Sequence, residues 1–169
     1  MGTKTGDRDT VRIDIRTACS GDLEPIVAIE KYSFAEPWSK KDFATCLRRL
    51  NIRSKVVIVD EQLIGYVLYI NHVTHVEIVN FAIHWEFRRQ GIGTQVIDYL
   101  IAKLGTCNLL QFILSEYNLP AQLFLKSCEF RCIAVHESHY PDSDEAAYEF
   151  LYDTEALWLP ANRISEEIE

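Results

Sequence analysis

The chain has 169 residues, 48% hydrophobic, 11% aromatic and 25% charged, a balance that can bury one complete core and argues against disorder away from the ends. Seventeen Lys and Arg against 25 Asp and Glu leave a net charge of −8, which argues against nucleic acid as a main partner, because phosphates need a surplus of cations. The acidic surface favours the approach of amines and basic peptides instead.

Residues 1–10 are polar and read as a flexible tail. Val11 to Arg16 alternates apolar with charged, the period of a half-buried strand. Ser20 or Asp22 can cap a helix carrying Leu23, Ile26, Val27, Ile29 and Phe34, which Glu36-Pro37-Trp38-Ser39 ends. Ser39 can cap a second helix through Phe43, Cys46, Leu47 and Leu50. Lys55–Asp60 and Ile64–His72, separated by Glu61-Gln62, read as an antiparallel hairpin. A third apolar run spans Val76–His84. Arg88-Arg89-Gln90-Gly91-Ile92-Gly93-Thr94 then opens an amphipathic helix that Gly105 stops. A strand at Leu109–Leu114, a turn at Asn118-Leu119-Pro120 and a helix through Ala121, Phe124 and Cys128 follow. Strands near Arg131–His136 and Ala147–Tyr152 flank the polar loop 138–144, and residues 158–169 read as a second tail. This order predicts an α+β (mixed α/β) domain over 11–157 with one central sheet covered by helices.

Five cysteines, Cys19, Cys46, Cys107, Cys128 and Cys132, form no CxxC pair. They read as reduced core thiols of a cytoplasmic protein rather than a disulfide framework or zinc site. His72, His75, His84 and His136 show no metal-ligand spacing, so no metal is expected. No signal-type segment, myristoylation pattern or apolar run of spanning length is visible, and no membrane partner is expected.

The chemistry-bearing segment is the glycine loop. A helix N-terminus presents unpaired amides and the positive end of the macrodipole, so Gly91 and Gly93 at that point let the backbone wrap a phosphate. Arg88 and Arg89 add positive charge. GxxxxGK[ST] and GxGxxG are both absent, which leaves a pyrophosphate cradle of another type.

Glu77 to Gly93, a strand running into Arg88-x-x-Gly91-x-Gly93, resembles motif A of the GNAT superfamily of acetyl-CoA-dependent N-acetyltransferases. Ser33-Phe34 with Pro37-Trp38, Asn118-x-x-Ala121-x-x-Phe124 through Phe130, and His139-Tyr140-Pro141 resemble segments of its RimI-like protein N-terminal acetyltransferases. The resemblance implies a twisted, mostly antiparallel sheet of about seven strands with about four flanking helices. It implies that Phe81, Ala82 and Ile83 line the pantetheine arm of acetyl-CoA on a strand that parts from its neighbour. Amides of Arg89, Gln90, Gly91, Ile92, Gly93 and Thr94, with Arg88 beside them, would hold the pyrophosphate. Asn118, Ala121 and Phe124 would meet the cofactor from the next helix, and Phe34, Trp38 and His139 would wall the acceptor.

The pattern also departs from the family. RimI-like enzymes place a Glu base and a Tyr acid where this chain has Ile113 and Leu125, and the usual Gly is replaced by Glu129. Amine acetylation needs a base, oxyanion donors and an acid. The run from Glu77 resembles the strand of Gcn-type histone acetyltransferases whose catalytic Glu falls at Glu77, a residue also readable as a solvated surface charge. Tyr117, His139 and Tyr140 are candidate acids, Tyr140 first. The expected activity is acetyl transfer by direct attack, to a protein N-terminal α-amine; a small-molecule amine, or acetyl-CoA binding without turnover, are the alternatives.

Overall fold

A computed structural model of the chain describes residues 11–140 and 144–156. The expected tails, and Pro141, Asp142 and Ser143 of the polar loop, lie outside the described residues. In chain order the elements are β1 (Asp14–Thr17), α1 (Leu23–Ser33), α2 (Lys40–Arg48), β2 (Ile52–Val59), β3 (Gln62–Asn71), β4 (Val76–Ile83), α3 (Ile92–Ile101), β5 (Leu109–Ser115), α4 (Leu119–Ser127), β6 (Arg131–His136) and β7 (Ala147–Asp153). The strands form one seven-stranded sheet in the order β1-β2-β3-β4-β5-β7-β6. β4 and β5 run parallel, with α3 as the crossover, while β1–β2, β5–β7 and β6–β7 are antiparallel. This is the α+β architecture that the element order predicts.

Contacts divide the chain into two compact units. Of the described residues, the first holds Val11–Val67 together with Phe81–Val96, and the second holds Leu68–Asn80 and those from Ile97 to Ala156. β3 and β4 each pass from one unit into the other. In the first unit Ile26, Ile29, Phe43, Val56, Val57, Ile64 and Tyr66 are buried. Phe43 stands edge-on to Tyr66 at 5.4 Å and tilted against Trp38 at 5.5 Å. Beside this aromatic column Glu30 is only 1% exposed. Its carboxylate accepts the Trp38 amide at 2.9 Å and the Tyr66 hydroxyl, so the burial of a charge is met by hydrogen bonds. In the second unit Ile78, Leu100, Leu110, Phe112, Leu114, Leu125, Phe130 and Phe150 are buried.

Several local expectations shift for identifiable reasons. Asp22 does not cap α1; its carboxylate turns back to the Cys19 amide at 2.7 Å and grips Arg16 through two bonds of 2.7 Å. That grip holds the Asp22 carboxyl well below the usual carboxylate range. Ser39 does cap α2, in a reciprocal box with Asp42, but the helix ends at Arg48 and leaves Leu50 exposed rather than on its apolar face. The β2–β3 turn falls on Asp60-Glu61, one residue earlier than expected, with both residues at positive φ (46° and 67°), as a two-residue hairpin of the primed kind requires. All five cysteines are free, yet Cys19 and Cys132 are exposed and the other three part-exposed, so the expectation of core thiols is corrected. Among the described residues no helix is long and apolar enough to cross a membrane.

Candidate active site

In the first unit the site begins at the end of β4. A Cβ on Gly65 would lie 2.5 Å from Ile83 Cδ1 and 2.9 Å from the Ala82 carbonyl oxygen, so only glycine lets β3 pass this close to β4. The His84 amide donates to the Ile64 carbonyl at 2.7 Å and completes that contact. Ala82 and Ile83 are buried and Phe81 is half-buried. A short 3₁₀ turn, Trp85–Phe87, then leads into the glycine loop.

Within the loop Arg89 and Gly91 take positive φ, 62° and 77°. Alternation of left-handed with right-handed or extended residues turns successive amides towards one side and makes an anion-binding concavity. Gly91 would meet nothing within 4 Å if it carried a Cβ, so its role is conformational rather than steric. The first helical bond of α3 is Gln95 amide to Gly91 carbonyl at 3.1 Å, so the amides of Gly91, Ile92 and Gly93 precede the intrahelical ladder. Gln90 ties its side-chain amide to the Glu86 carbonyl at 2.9 Å. Arg88 is committed internally: Nε donates to the Ile83 carbonyl at 2.7 Å, and a terminal nitrogen donates to Ser33 Oγ at 2.8 Å. It braces the end of β4 against the end of α1, and Arg89, exposed, is the loop's other cation. A concave row of amides at a helix N-terminus with a cation beside it fits a pyrophosphate. Trp38 belongs to the aromatic column, and Phe34 follows the last residue of α1.

In the second unit the parallel ladder pairs Val76, Glu77 and Ile78 with Leu110, Gln111 and Phe112 and ends there, although both strands continue. Alternation puts Glu77 and Val79 of β4 on one face, with Gln111 and Ile113 of β5 beside them. Ile113 lies opposite Glu149 in the β5–β7 register. Glu149 accepts from Gln111 Nε2 at 2.6 Å and lies 2.7 Å from His136 Nε2, and the His136 bond first, then Gln111, hold its carboxyl below the ordinary range. Glu77 Oε2 lies 2.8 Å from His72 Nε2, and the Glu77 side chain is 32% exposed. Glu77 is therefore a part-exposed carboxylate hydrogen-bonded to His72, on a face that also holds Val79, Gln111 and Ile113.

Asn118 spends its carbonyl oxygen capping α4 through the Ala121 amide at 3.3 Å, and Phe124 is half-buried on the same helix. Leu125 is fully buried, so the position at which RimI-like enzymes carry a Tyr is a core residue here. Tyr140 is half-buried, with its phenol pushed up by burial and then by Glu145, and exposed His139 stands edge-on to it at 5.0 Å. Tyr117 is exposed. Sequence reasoning missed Glu149, His136 and Gln111, whose only trace was polar residues inside apolar strands, and buried Glu30, which reads like any helix-surface Glu. It also missed that His72 and His75 meet Glu77, with one ligand atom from each within 4.8 Å of the others.

Known proteins resemble this chain in sequence and fold. An N-alpha-acetyltransferase of Saccharolobus solfataricus is 22% identical over 147 residues, which cover 78% of this chain and 88% of the relative. The solved ribosomal-protein-S18-alanine N-acetyltransferase of Escherichia coli superposes with a TM-score of 0.73 at 20% identity, covering 84% of this chain and 94% of that one. Arabidopsis thaliana NAA60 in complex with acetyl-CoA gives 0.71 at 19% identity, covering 84% and 99%. A family model described as the acetyltransferase (GNAT) family matches residues 22–130, from the start of α1 to the end of α4 and through the glycine loop. With more than half its length matched and the seven-stranded fold in place, this chain belongs to the GNAT acetyltransferase family, which draws its acetyl group from acetyl-CoA.

Proposed function

We propose that this protein acetylates the α-amine of protein N-termini by direct attack of the amine on acetyl-CoA, with Glu77 as the general base. The observation that carries the proposal is the Glu77 carboxylate, part-exposed and oriented by His72 on a face that also holds Gln111 and Glu149. Acetyl-CoA supplies an activated thioester. The chain's own residues supply the rest. Amides from Arg89 to Thr94 hold the pyrophosphate, with the Arg89 side chain adding charge; Arg88 acts as the brace that sets the loop. Phe81, Ala82 and Ile83 line the pantetheine arm, where the Ile83 amide, on the side of β4 turned away from β3, donates to the thioester oxygen as the amine adds. Asn118, Ala121 and Phe124 complete the cofactor contact from α4.

An attacking amine must be neutral, and a carboxylate fixed by one hydrogen bond keeps a second oxygen to accept the proton, directly or through water. As nitrogen bonds to the carbonyl carbon and the carbon–sulfur bond breaks, that proton rests on Glu77, and the thiolate takes one from Tyr140. Burial keeps the Tyr140 phenol protonated through the neutral range, so it can play this part. Phe34, Trp38 and His139 flank the acceptor. An acidic face attracts an ammonium group before it loses its proton. Named N-terminal acetyltransferases among the relatives support a peptide acceptor.

The test is mass spectrometry of a mixed peptide library with free N-termini, together with spermidine and lysine, after incubation with acetyl-CoA and the protein. Acetylated α-amines are expected. Acetylation of spermidine or lysine alone would replace the acceptor with a small amine. No product, with acetyl-CoA still bound, would mean that Ile113 and Leu125 have silenced the chemistry.

A further inference from the structure

The β3–β4 hairpin is closed by the His72 amide donating to the His75 carbonyl at 2.9 Å, with Val73 and Thr74 as the two loop residues. Residues facing each other across such a loop share a face of the ribbon, and a strand returns to that face at every second residue. His72, His75 and Glu77 therefore project together. The two imidazoles stack with centroids 4.3 Å apart and planes 15° apart, and His72 bonds Glu77. Thr74 Oγ1 lies 3.1 Å from His75 Nδ1, the kind of outer partner that fixes the ring of a ligating histidine. Cys107 Sγ holds the loop backbone through the carbonyls of Val73, at 3.7 Å, and His72, at 3.8 Å.

Nothing in the acetyl-transfer chemistry calls for His75. We propose that His72, His75 and Glu77 form a three-ligand site for a divalent transition-metal ion, zinc before others, with water in the remaining position. Two imidazoles and one carboxylate are donors that zinc accepts, whereas magnesium and calcium demand oxygen throughout. Bonds of about 2.0–2.2 Å bring ligand atoms to roughly 3–3.5 Å from one another, a closing of the present 4.8 Å spread that part-exposed side chains make by rotation. The ion replaces the His72–Glu77 hydrogen bond with a bond to each partner. Resting on the reading of Glu77 as base, it also draws electron density from the carboxylate and lowers the basicity of the second oxygen that accepts the amine proton, so bound zinc inhibits the enzyme.

The experiment is calorimetric titration of the full chain with zinc chloride in a non-chelating buffer, beside His75→Ala and His72→Ala variants of unchanged melting temperature. One ion per chain is expected, with affinity at least about tenfold weaker in each variant, since even outer partners of a metal carry a tenfold effect. No saturable binding, or equal binding by His75→Ala, overturns the site and places any bound ion elsewhere, such as on exposed Cys19 or Cys132. Acetylation rates form a separate arm: zinc slows the wild type but not His75→Ala, whose rate without zinc is unchanged. If zinc binds at these residues and turnover is unaffected, the metal site stands and the role of Glu77 as base falls.

Discussion

From Ile83 to Thr94 the chain works with its backbone, whereas across Glu77, Gln111, Glu149 and His136 it works with side chains drawn from four strands. The loop needs a left-handed Gly91, a left-handed Arg89 and the start of α3, all within one continuous segment. Even Arg88, which reads as a phosphate contact, is spent bracing Ile83 and Ser33. The polar face exists only through register, in which Glu77 meets Gln111, Gln111 bonds Glu149, and Glu149 pairs with His136. A backbone site tolerates exchange of side chains and fails when φ changes; a face of paired side chains does the reverse.

The largest expected effect probes the face. Glu77→Gln keeps the shape and loses the base, so kcat falls by about 100-fold or more, the usual contribution of general base catalysis. Acetyl-CoA affinity, measured by calorimetry, stays as it was; full activity in the variant would remove Glu77 from the mechanism. For the loop, Gly91→Ala imposes a left-handed alanine at a cost of about 1–2 kcal/mol, a factor of roughly 5–30. That loss is expected in the dissociation constant for acetyl-CoA, with kcat at saturation preserved. An equal loss in kcat would mean that the two regions are not separable.

A pH series sharpens the reading of Glu149. Its carboxyl is held below its ordinary value of 4.5 in the folded chain, with His136 as the first cause. A depressed carboxylate contributes stability in full above the unfolded value, and that contribution is lost as pH falls through the folded value. Glu149→Gln is therefore less stable than the wild type at neutral pH, and the difference in melting temperature narrows below about pH 4.5, with a change in proton uptake of up to about one. The smallest effect is a gain. Glu129 has φ 68° where α4 ends in paired bonds, Phe130 amide to Leu125 carbonyl at 3.1 Å and Glu129 amide to Lys126 carbonyl at 3.2 Å. That geometry favours glycine, and a carboxylate at a helix C-terminus opposes the macrodipole. Glu129→Gly should raise stability by about 1 kcal/mol, read as a higher melting temperature at unchanged activity.

Much of the fold is legible because its causes are local. Apolar runs mark β4 and β5, and Ser39 marks the start of α2. Asn118 followed by Pro120 marks the start of α4. Where reading and structure part, a tertiary contact competes with the local signal. Asp22 could cap α1 but is drawn to Arg16, and Leu50 continues an apolar stripe that the chain leaves at Arg49. Glu30 looks like a solvated helix residue until Tyr66, 36 positions away, donates to it in the core.

By itself the sequence determined the elements, the glycine cradle and the family resemblance, because each rests on neighbours in the chain: residue alternation, capping partners, and φ values that glycine adopts at little cost. Only the tertiary structure decided that Glu77 is oriented by His72, that Arg88 is a brace, that Leu125 is core, and that Glu149 lies opposite Ile113. Strand register is a long-range choice made by burying one face of the sheet, and a polar residue on the other face acquires its partners only after that choice is made.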